Sequence, residues 1–427
     1  GLGDVYKRQV QAALNYDKWG FQFAFGLVGG GGKCTFNRGL GSFERQVALL
    51  PSILQLVNNT YQQQYGIDLG LGSNTPGYSV ESYIHGQQYV FGFQFGSTYK
   101  VNENLAVYGG FRFNYIYNKY EGSISNITVN INGQNENLYS YLGTKADALA
   151  NQALSYQEQA NNYTRLAQEA TLAGNEQAAQ QYAAAAEQLT KGAQLAQGGA
   201  QAIGGVRSQV ADRNLDCTQR GWGITPIIGI DYRWGKLNLG ARLEFTTHLN
   251  IENDTKVDDT GLFADGVNTP NDIPGILTVG GCYEILPTWR VMASYHYYFD
   301  KDARMDKDKQ KLLSSNTWEW ALGSEYDISD ALTVSAGMQR TKYGLGDGSY
   351  LTDMSFTTSS YSYGFGAKVR VAPKVTVEAS YFWTNYETFD KEYDQEYSAG
   401  GMSATAHNTD QFTRTNKVFG VGVNLDF

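Results

Sequence analysis

Residues able to do chemistry are few and scattered in this chain of 427 residues. The four histidines, His85, His248, His296 and His407, lie far apart in the sequence. No serine or cysteine stands in a recognisable nucleophile motif, and the three cysteines lack the CxxC spacing of zinc and redox sites. We therefore expect that the protein is not an enzyme and that it holds neither a metal nor another cofactor.

The three cysteines are Cys34, Cys217 and Cys282, and an odd number cannot all pair within one chain. The sequence offers a disulfide between Cys34 and Cys217 as one candidate pairing.

Charged side chains recur at every second position of many segments, which indicates strands with one apolar and one polar face. The segment from Leu237 to Ile251 is the clearest case. In a membrane barrel the polar face lines the interior. Both signs of charge occur on it, so we expect ion pairs between neighbouring strands and little selection for ions of one sign. The candidate residues facing this interior are Arg112, Arg242, Glu244, His248, Arg290, His296, Lys368 and Arg370.

A run of four glycines interrupts a segment that otherwise has the pattern of a strand from Trp19 onward. Glycine inside a strand marks a bulge, a bend or a close approach of another backbone. The run therefore predicts either an opening in the wall of the sheet or a flexible entrance to a loop. In the first interpretation the residues beside a lateral gap are Gly29, Gly30, Gly31 and Gly32.

Composition narrows the class of protein. The chain has 49 glycines, 31 tyrosines and 20 phenylalanines against 7 prolines, as expected of one large sheet. No stretch approaches the 18 or so apolar residues that a membrane-spanning helix needs, whereas a barrel strand faces lipid only at every second residue. The net charge of −9, without a basic stripe, argues against nucleic acid as a partner.

Alternating segments predict an all-β fold, a transmembrane antiparallel β-barrel. Short turns alternate with long connections along the chain, as they do in outer-membrane barrels and not in soluble β-sandwiches. Bacterial single-chain barrels have even strand numbers, so the thirteen segments predict 14 strands in the intact barrel. The segments are residues 9–16, 19–28, 88–100, 104–118, 220–234, 236–252, 273–286, 288–300, 316–328, 331–343, 358–371, 374–388 and 413–427.

One long connection differs in composition from the rest. Residues 138–212 form a helical insertion, rich in alanine and glutamine, with small or apolar residues at helical spacing. Gly174 and Asn175 predict the end of one helix and the cap of the next, so the insertion should be an antiparallel hairpin in an extracellular loop. Residues 10–427 are then a single barrel domain that ends on Phe427, and residues 1–9 fit no strand pattern and are expected to be a non-native or truncated end.

The chain resembles the FadL/OmpP1/TodX family of outer-membrane transporters, in the form found in Bacteroidetes-like bacteria. The resemblance rests on the segments GFQFAFGLVGGGGKCTFN, GWGITPIIGIDYRWGKLNLGARLEFTTHLNIEND, NTWEWALGSEYDISDALTVSAGM and VFGVGVNLDF. It implies a barrel of fourteen strands, plugged by an N-terminal hatch, in which an early strand is kinked to open a side gap. Gly29 to Gly32 lie on the matching strand, and the hatch and first strand would precede this sequence.

The resemblance further implies passive transport of hydrophobic compounds, with molecules like long-chain fatty acids as the leading ligands. The expected protein is a monomer of the bacterial outer membrane in contact with lipid and lipopolysaccharide. Two other functions stay open: a general porin for small polar solutes, and a structural or adhesive surface barrel that binds a partner through the helical loop.

Overall fold

The computed structural model describes residues 10–72, 77–354, 356–399 and 402–425. Within them the chain forms eighteen strands and four α-helices. Strands β1 to β9 are Val10–Tyr16, Trp19–Phe36, Tyr78–Lys100, Leu105–Ile131, Gln134–Asn137, Arg213–Trp234, Leu237–Glu244, Asn250–Asp258 and Asn268–Pro270. Strands β10 to β18 are Ile276–Leu286, Trp289–Tyr298, Ser315–Ser329, Leu332–Gly344, Ser360–Ala372, Val375–Tyr386, Phe389–Ala399, Met402–Phe412 and Thr415–Leu425. Helices α1 to α4 are Gly41–Ala48, Leu50–Tyr65, Leu138–Leu172 and Glu176–Gln209.

One antiparallel sheet forms the wall of the molecule. Its strands follow in the order β1-β2-β3-β4-β6-β7-β10-β11-β12-β13-β14-β15-β18, with β5, β8 and β9 attached beside this path. The thirteen strands of the path correspond to the thirteen predicted segments, which confirms the all-β antiparallel fold. The total of 14 strands for an intact barrel stays a prediction, and Phe427 and residues 1–9 lie outside the described residues.

The two ends of the sheet differ in the length of their connections. Two to four residues join β1 to β2, β3 to β4, β6 to β7, β10 to β11, β12 to β13 and β14 to β15. All the long connections, including the four helices, lie at the opposite end, which we call the long-loop end. None of the helices in the described part of the chain is long and apolar enough to cross a membrane.

The outward face of the wall is an apolar band. On β6 it runs from Trp222 to Trp234, with Ile224, Ile228 and Ile230 exposed between the two tryptophans. Aromatic residues at both borders of an apolar band are typical of barrels, because their amphipathic rings settle at the two membrane interfaces. The residues on either side of each band residue point to the inner face, which carries most of the charges.

Pro226 explains an irregularity in this wall. Just after β7, the backbone N–H of Phe245 donates to the Pro226 carbonyl of β6. Proline has no N–H, so it cannot return a hydrogen bond to the chain that follows β7. Strand β7 ends at Glu244, and the next residue paired with β6 is Ile251 of β8, which lies opposite Gly221. The predicted continuous strand 236–252 is therefore wrong.

The break also exchanges the two faces of the chain. Before it, Arg242 and Glu244 point inward; after it, Thr247 and Leu249 are buried and His248 is exposed. A strand alternates its faces with period two, so one extra residue at a bulge inverts the phase. Sequence alternation cannot be carried across such a point.

The helical hairpin is confirmed. The side chain of Asn175 accepts the backbone N–H of Ala178 at 3.1 Å and begins α4, directly after Gly174 with φ of +73°. These residues end one helix and start the next as their types predict. Small buried side chains let the two helices lie close together: Ala153, Ala160, Ala186, Ala193 and Ala196.

A hydrophobic core at the long-loop end was not predicted. Helices α1 and α2 were absent from our sequence interpretation. They pack against the long-loop ends of β3 and β4, and against the base of the hairpin, which is the start of α3 and the end of α4. We call this assembly the cap. Its buried members are Val47, Leu50, Ile53, Leu54, Val57, Leu69, Leu71, Val80, Ile127, Val129, Ile131, Leu138, Leu142, Ile203, Val206 and Val210.

The cap joins connections that come from distant strands. The Arg45 guanidinium of α1 donates to Asp410 of the hairpin β16–β17 at 2.6 Å and lies over the Tyr393 ring. At the start of α1, the backbone N–H of Ser42 donates to Asp353 at 2.6 Å. Connections from both ends of the strand order therefore meet over the long-loop end.

The cap core yields a stability prediction. Leu54 is fully buried, so Leu54→Ala should lower the free energy of unfolding of the cap by about 2–5 kcal/mol through lost burial and a residual cavity. Hydrogen exchange of the α1 and α2 amides measures this. The control is Leu154→Ala on the hairpin, where the side chain is 64% exposed and the expected change is within about 0.5 kcal/mol. Equal protection in both variants would show that the cap has no such core.

Candidate functional site

The inner face of the wall carries an ion-pair network around Glu244. Arg112 of β4 and Arg242 of β7 both donate to its carboxylate, one to each oxygen. The Glu244 and Arg112 side chains are only 11% and 13% exposed. Two guanidiniums around one largely buried carboxylate join β4 to β7 across β6, because separating them would leave a charge without a partner in a poorly solvated place.

A second group lies nearer the short turns. Arg290 of β11 donates to Glu325 and to Asp327 of β12, both at 2.9 Å. Towards the long-loop end of the same strands, the His296 Nδ1 lies 3.0 Å from Glu319, and the Thr341 hydroxyl donates to that carboxylate at 2.7 Å. Arg290 and His296 are thus both matched by carboxylates of the neighbouring strand β12.

Lys368 and Arg370 also lie on the inner face. Lys368 stands opposite Glu378 in the register of β14 and β15, and Arg370 stands opposite Thr376 close to the short turn. Within the described residues neither has an ion pair within bonding distance.

His248 is not on the inner face, contrary to the prediction. The phase inversion after Glu244 turns it outward, where its Nδ1 lies 2.8 Å from the Asp272 carboxylate. The predicted pairing of Cys34 with Cys217 is also wrong, because both are free thiols. Gly86 and Tyr120 separate them in the register of four strands. Three strand spacings of about 4.8 Å exceed the reach of a disulfide.

Between the charged groups the inner face includes a row of small or apolar residues. One row of paired residues crosses six neighbouring strands, from β11 to β18, and none of its side chains carries a charge or a hydroxyl group. Its members are Met292, Gly323, Gly337, Gly364, Phe382 and Val418. A cavity of about 660 Å³ lies along this part of the wall. Its lining combines apolar residues, among them Met292, Ala321 and Phe382, with serine, threonine and glutamine side chains. Sequence reasoning missed it, although the alternating small residues of β12 to β14 were a visible signal.

The glycine run is part of a continuous strand. Strand β2 stays paired with β3 along its whole length, but the register shifts twice, between Leu27 and Gly29 and again between Gly30 and Gly32. At Gly30 the backbone has φ of +65°, and an added Cβ would lie 2.5 Å from the Gln88 carbonyl oxygen. Only glycine accommodates both conditions. The backbone therefore bulges at the glycine run, and the wall is not broken between β2 and β3; the lateral gap stays a prediction.

The other edge of β2 is different. β1 pairs with it only from Trp19 to Phe25. Among the described residues, those at 26–36 therefore have a strand partner on the β3 side alone. Both register shifts of β2 fall within this stretch.

Comparisons with known proteins agree with this architecture. Residues 253–427 match the family model for an outer membrane protein beta-barrel domain. The chain is similar to the crystal structure of a FadL homologue from Pseudomonas aeruginosa, with a TM-score of 0.52 and 9% identity, over 98% of this chain and 77% of that chain. It is a β-barrel protein of the bacterial outer membrane with the fold of that FadL homologue.

A lower similarity, with a TM-score of 0.45 and 11% identity, links it to the toluene transporter TodX of Pseudomonas putida, over 99% of this chain and 82% of that chain. No curated protein matches the barrel at a significant level of sequence similarity.

The network around Glu244 predicts an unequal effect of two matched substitutions. Glu244→Gln leaves Arg112 and Arg242 facing each other without a counter-charge, so the free energy of unfolding in lipid should fall by about 3–5 kcal/mol. The control is Glu284→Gln, whose partner Arg233 lies 3.8 Å away with both side chains well exposed. Its loss should cost at most about 1 kcal/mol. Urea titration in lipid vesicles measures both, and equal losses would contradict the assignment of a buried network.

Proposed function

We propose that this barrel carries hydrophobic compounds across the outer membrane and releases them sideways into the lipid, beside β2. The observation that carries the proposal is the double bulge at Gly29 to Gly32 in β2. The two bulges bend β2 while its pairing with β3 is kept, so we place the exit at this bend, on the side of β2 away from β3 and at the border of the apolar band.

The inner cavity supplies the second support. A hydrophobic ligand gains by leaving water for the surfaces of Met292, Ala321 and Phe382, at roughly 25 cal/mol for each Å² of apolar surface buried. Such a site needs neither a cofactor nor an energy source. Transport is then passive, down the gradient of the ligand.

Molecules like long-chain fatty acids are our leading ligand class. Their carboxylate needs a cation, and Arg112, Arg242 and Arg290 already have carboxylate partners. Lys368, with no bonded partner among the described residues, is our candidate for that contact. Uptake of oleate and of an uncharged hydrocarbon should be compared in the same cells, because Lys368→Gln should reduce only the first.

A general porin is the principal alternative. It needs a water-filled lumen, whereas the contacts of Arg45 and Ser42 tie together connections that would otherwise leave the long-loop end open. Liposome-swelling measurements with small sugars separate the two functions. Rapid swelling would favour the porin.

The glycine run provides the sharpest test of sideways release. Gly30→Val cannot keep a φ of +65° or the close approach to Gln88, so the bulge should be lost and uptake of labelled oleate should fall at least severalfold. Gly32→Val is the matched control, since an added Cβ there meets nothing within 4 Å. Similar uptake by Gly30→Val and Gly32→Val, at equal amounts of folded protein, would rule out the exit beside β2.

The helical hairpin allows the adhesive alternative to be tested as well. Removing residues 145–202 leaves out most of α3 and α4 while keeping the base that packs in the cap. Unchanged oleate uptake together with a loss of surface adhesion would assign the hairpin to partner binding. A loss of uptake would assign it to ligand capture.

A further inference from the structure

Three nitrogen-bearing side chains meet on the outer face of the wall, just beyond the aromatic border of the apolar band. Arg220 lies two residues along β6 from Trp222, on the same face and towards the long-loop end. His248 and Arg304 lie beside it, and the three line a shallow cavity of about 410 Å³. We call this the girdle pocket. It also includes Asn250, which offers an uncharged hydrogen-bond donor.

A buried carboxylate positions two of these side chains. Asp272 is fully buried, and it accepts from the Arg304 Nε at 2.9 Å while its Oδ2 lies 2.8 Å from His248 Nδ1. Burial by itself would raise the pKa of Asp272, but the hydrogen bonds from Arg304 and His248 outweigh it and lower the pKa. The carboxylate therefore stays ionised, and from the buried side of the pocket it holds His248 and Arg304 in place.

The phase inversion opposite Pro226 is what brings His248 to this surface. Without the extra residue after Glu244, His248 would point into the barrel. Arg304 arrives from the connection between β11 and β12, where its backbone carbonyl accepts the N–H of Asp272 at 2.9 Å. Three separate chain segments thus contribute to one outward pocket, which a random scatter of surface charges would not produce.

The charges in the pocket leave Arg220 available. Asp272 is matched by Arg304. The acidic residues on the open side are Asp254 and Glu252, and Glu252 stands opposite Arg220 in the register of β6 and β8 without an ion pair to it among the described residues. Arg220 lies 3.7 Å from Asp254, and the two side chains are 56% and 61% exposed. Such a long, solvated pair contributes little, so the guanidinium can take another anion at small cost.

We propose that the girdle pocket binds the phosphate group of an outer-leaflet lipid. With the long connections outside the cell, as predicted, the pocket lies at the level where lipid headgroups begin, and Trp222 lies at the border with the acyl chains. Guanidinium groups bind phosphate through paired, charge-assisted hydrogen bonds. The acyl chains of the lipid would lie along Ile224 and Ile228, which face outward below Trp222. This site is independent of the proposed transport.

Binding of lipid A to the purified full-length protein in detergent tests the proposal, with native mass spectrometry as the readout. Arg220→Gln should weaken binding about tenfold to a hundredfold, as expected for a lost hydrogen bond between charged groups. Lys236→Gln is the matched control, because Lys236 lies in a short turn at the opposite end of the barrel. Arg220 is half exposed, so the variant should fold normally, and an unchanged circular-dichroism spectrum in detergent checks this.

Two further ligands distinguish the sources of phosphate. Lipid A lacking its phosphates should bind no better to the native protein than to Arg220→Gln. Inorganic phosphate should compete only weakly, because it lacks the acyl chains. The proposal is overturned if Arg220→Gln and Lys236→Gln bind lipid A equally, or if the dephosphorylated lipid binds as tightly as the intact one. Full displacement by millimolar inorganic phosphate would instead show a site for free anions.

Discussion

Backbone hydrogen bonding is the constraint on which this structure depends. Hydrocarbon offers no partner for an unpaired N–H or carbonyl, so a wall that crosses a membrane must pair its strands with one another. Pro226 and the glycine run both depart from regular pairing, and each is accommodated locally. At Pro226 the neighbouring strand breaks and adds a residue; at Gly30 the strand bulges while β3 keeps its pairing.

The glycine bulge and the girdle pocket lie on one row of the sheet, whereas Pro226 lies within the apolar band, between Ile224 and Ile228. Gly30 stands opposite Tyr89, Tyr89 opposite Tyr117, and Tyr117 opposite Arg220. This row lies at the long-loop border of the apolar band, where the wall leaves hydrocarbon for the headgroup region. Departures from regular pairing cost less there than at the membrane centre, because water and lipid headgroups can replace missing partners. The proposed exit and the proposed lipid site therefore occupy the same level of the wall.

The strands were predictable because the lipid-facing residues of each strand are a regular apolar series. The failures have particular causes. His248 was placed on the wrong face because alternation does not survive the extra residue after Glu244. The Cys34–Cys217 bridge failed because sequence spacing gives no information on how many strands lie between two positions. Helices α1 and α2 were missed although Leu50, Leu54 and Val57 have helical spacing; the segment is short and lies between two strands. The girdle pocket could not be predicted from the sequence, because its residues come from three segments whose register the sequence does not give.

Matching of charges on the inner face decides what a ligand meets there. Glu244 accepts from two arginines, and Arg290 donates to two carboxylates. These charged groups are therefore paired within the wall and are not free to bind a ligand. A charged solute that entered would lose water and find few free groups of opposite charge, which is costly. A hydrophobic solute loses nothing by leaving water and meets the row that contains Met292 and Phe382. The same ion pairs that stabilise the wall therefore favour apolar cargo, provided that Lys368 or the cap supplies whatever polar contact the ligand requires.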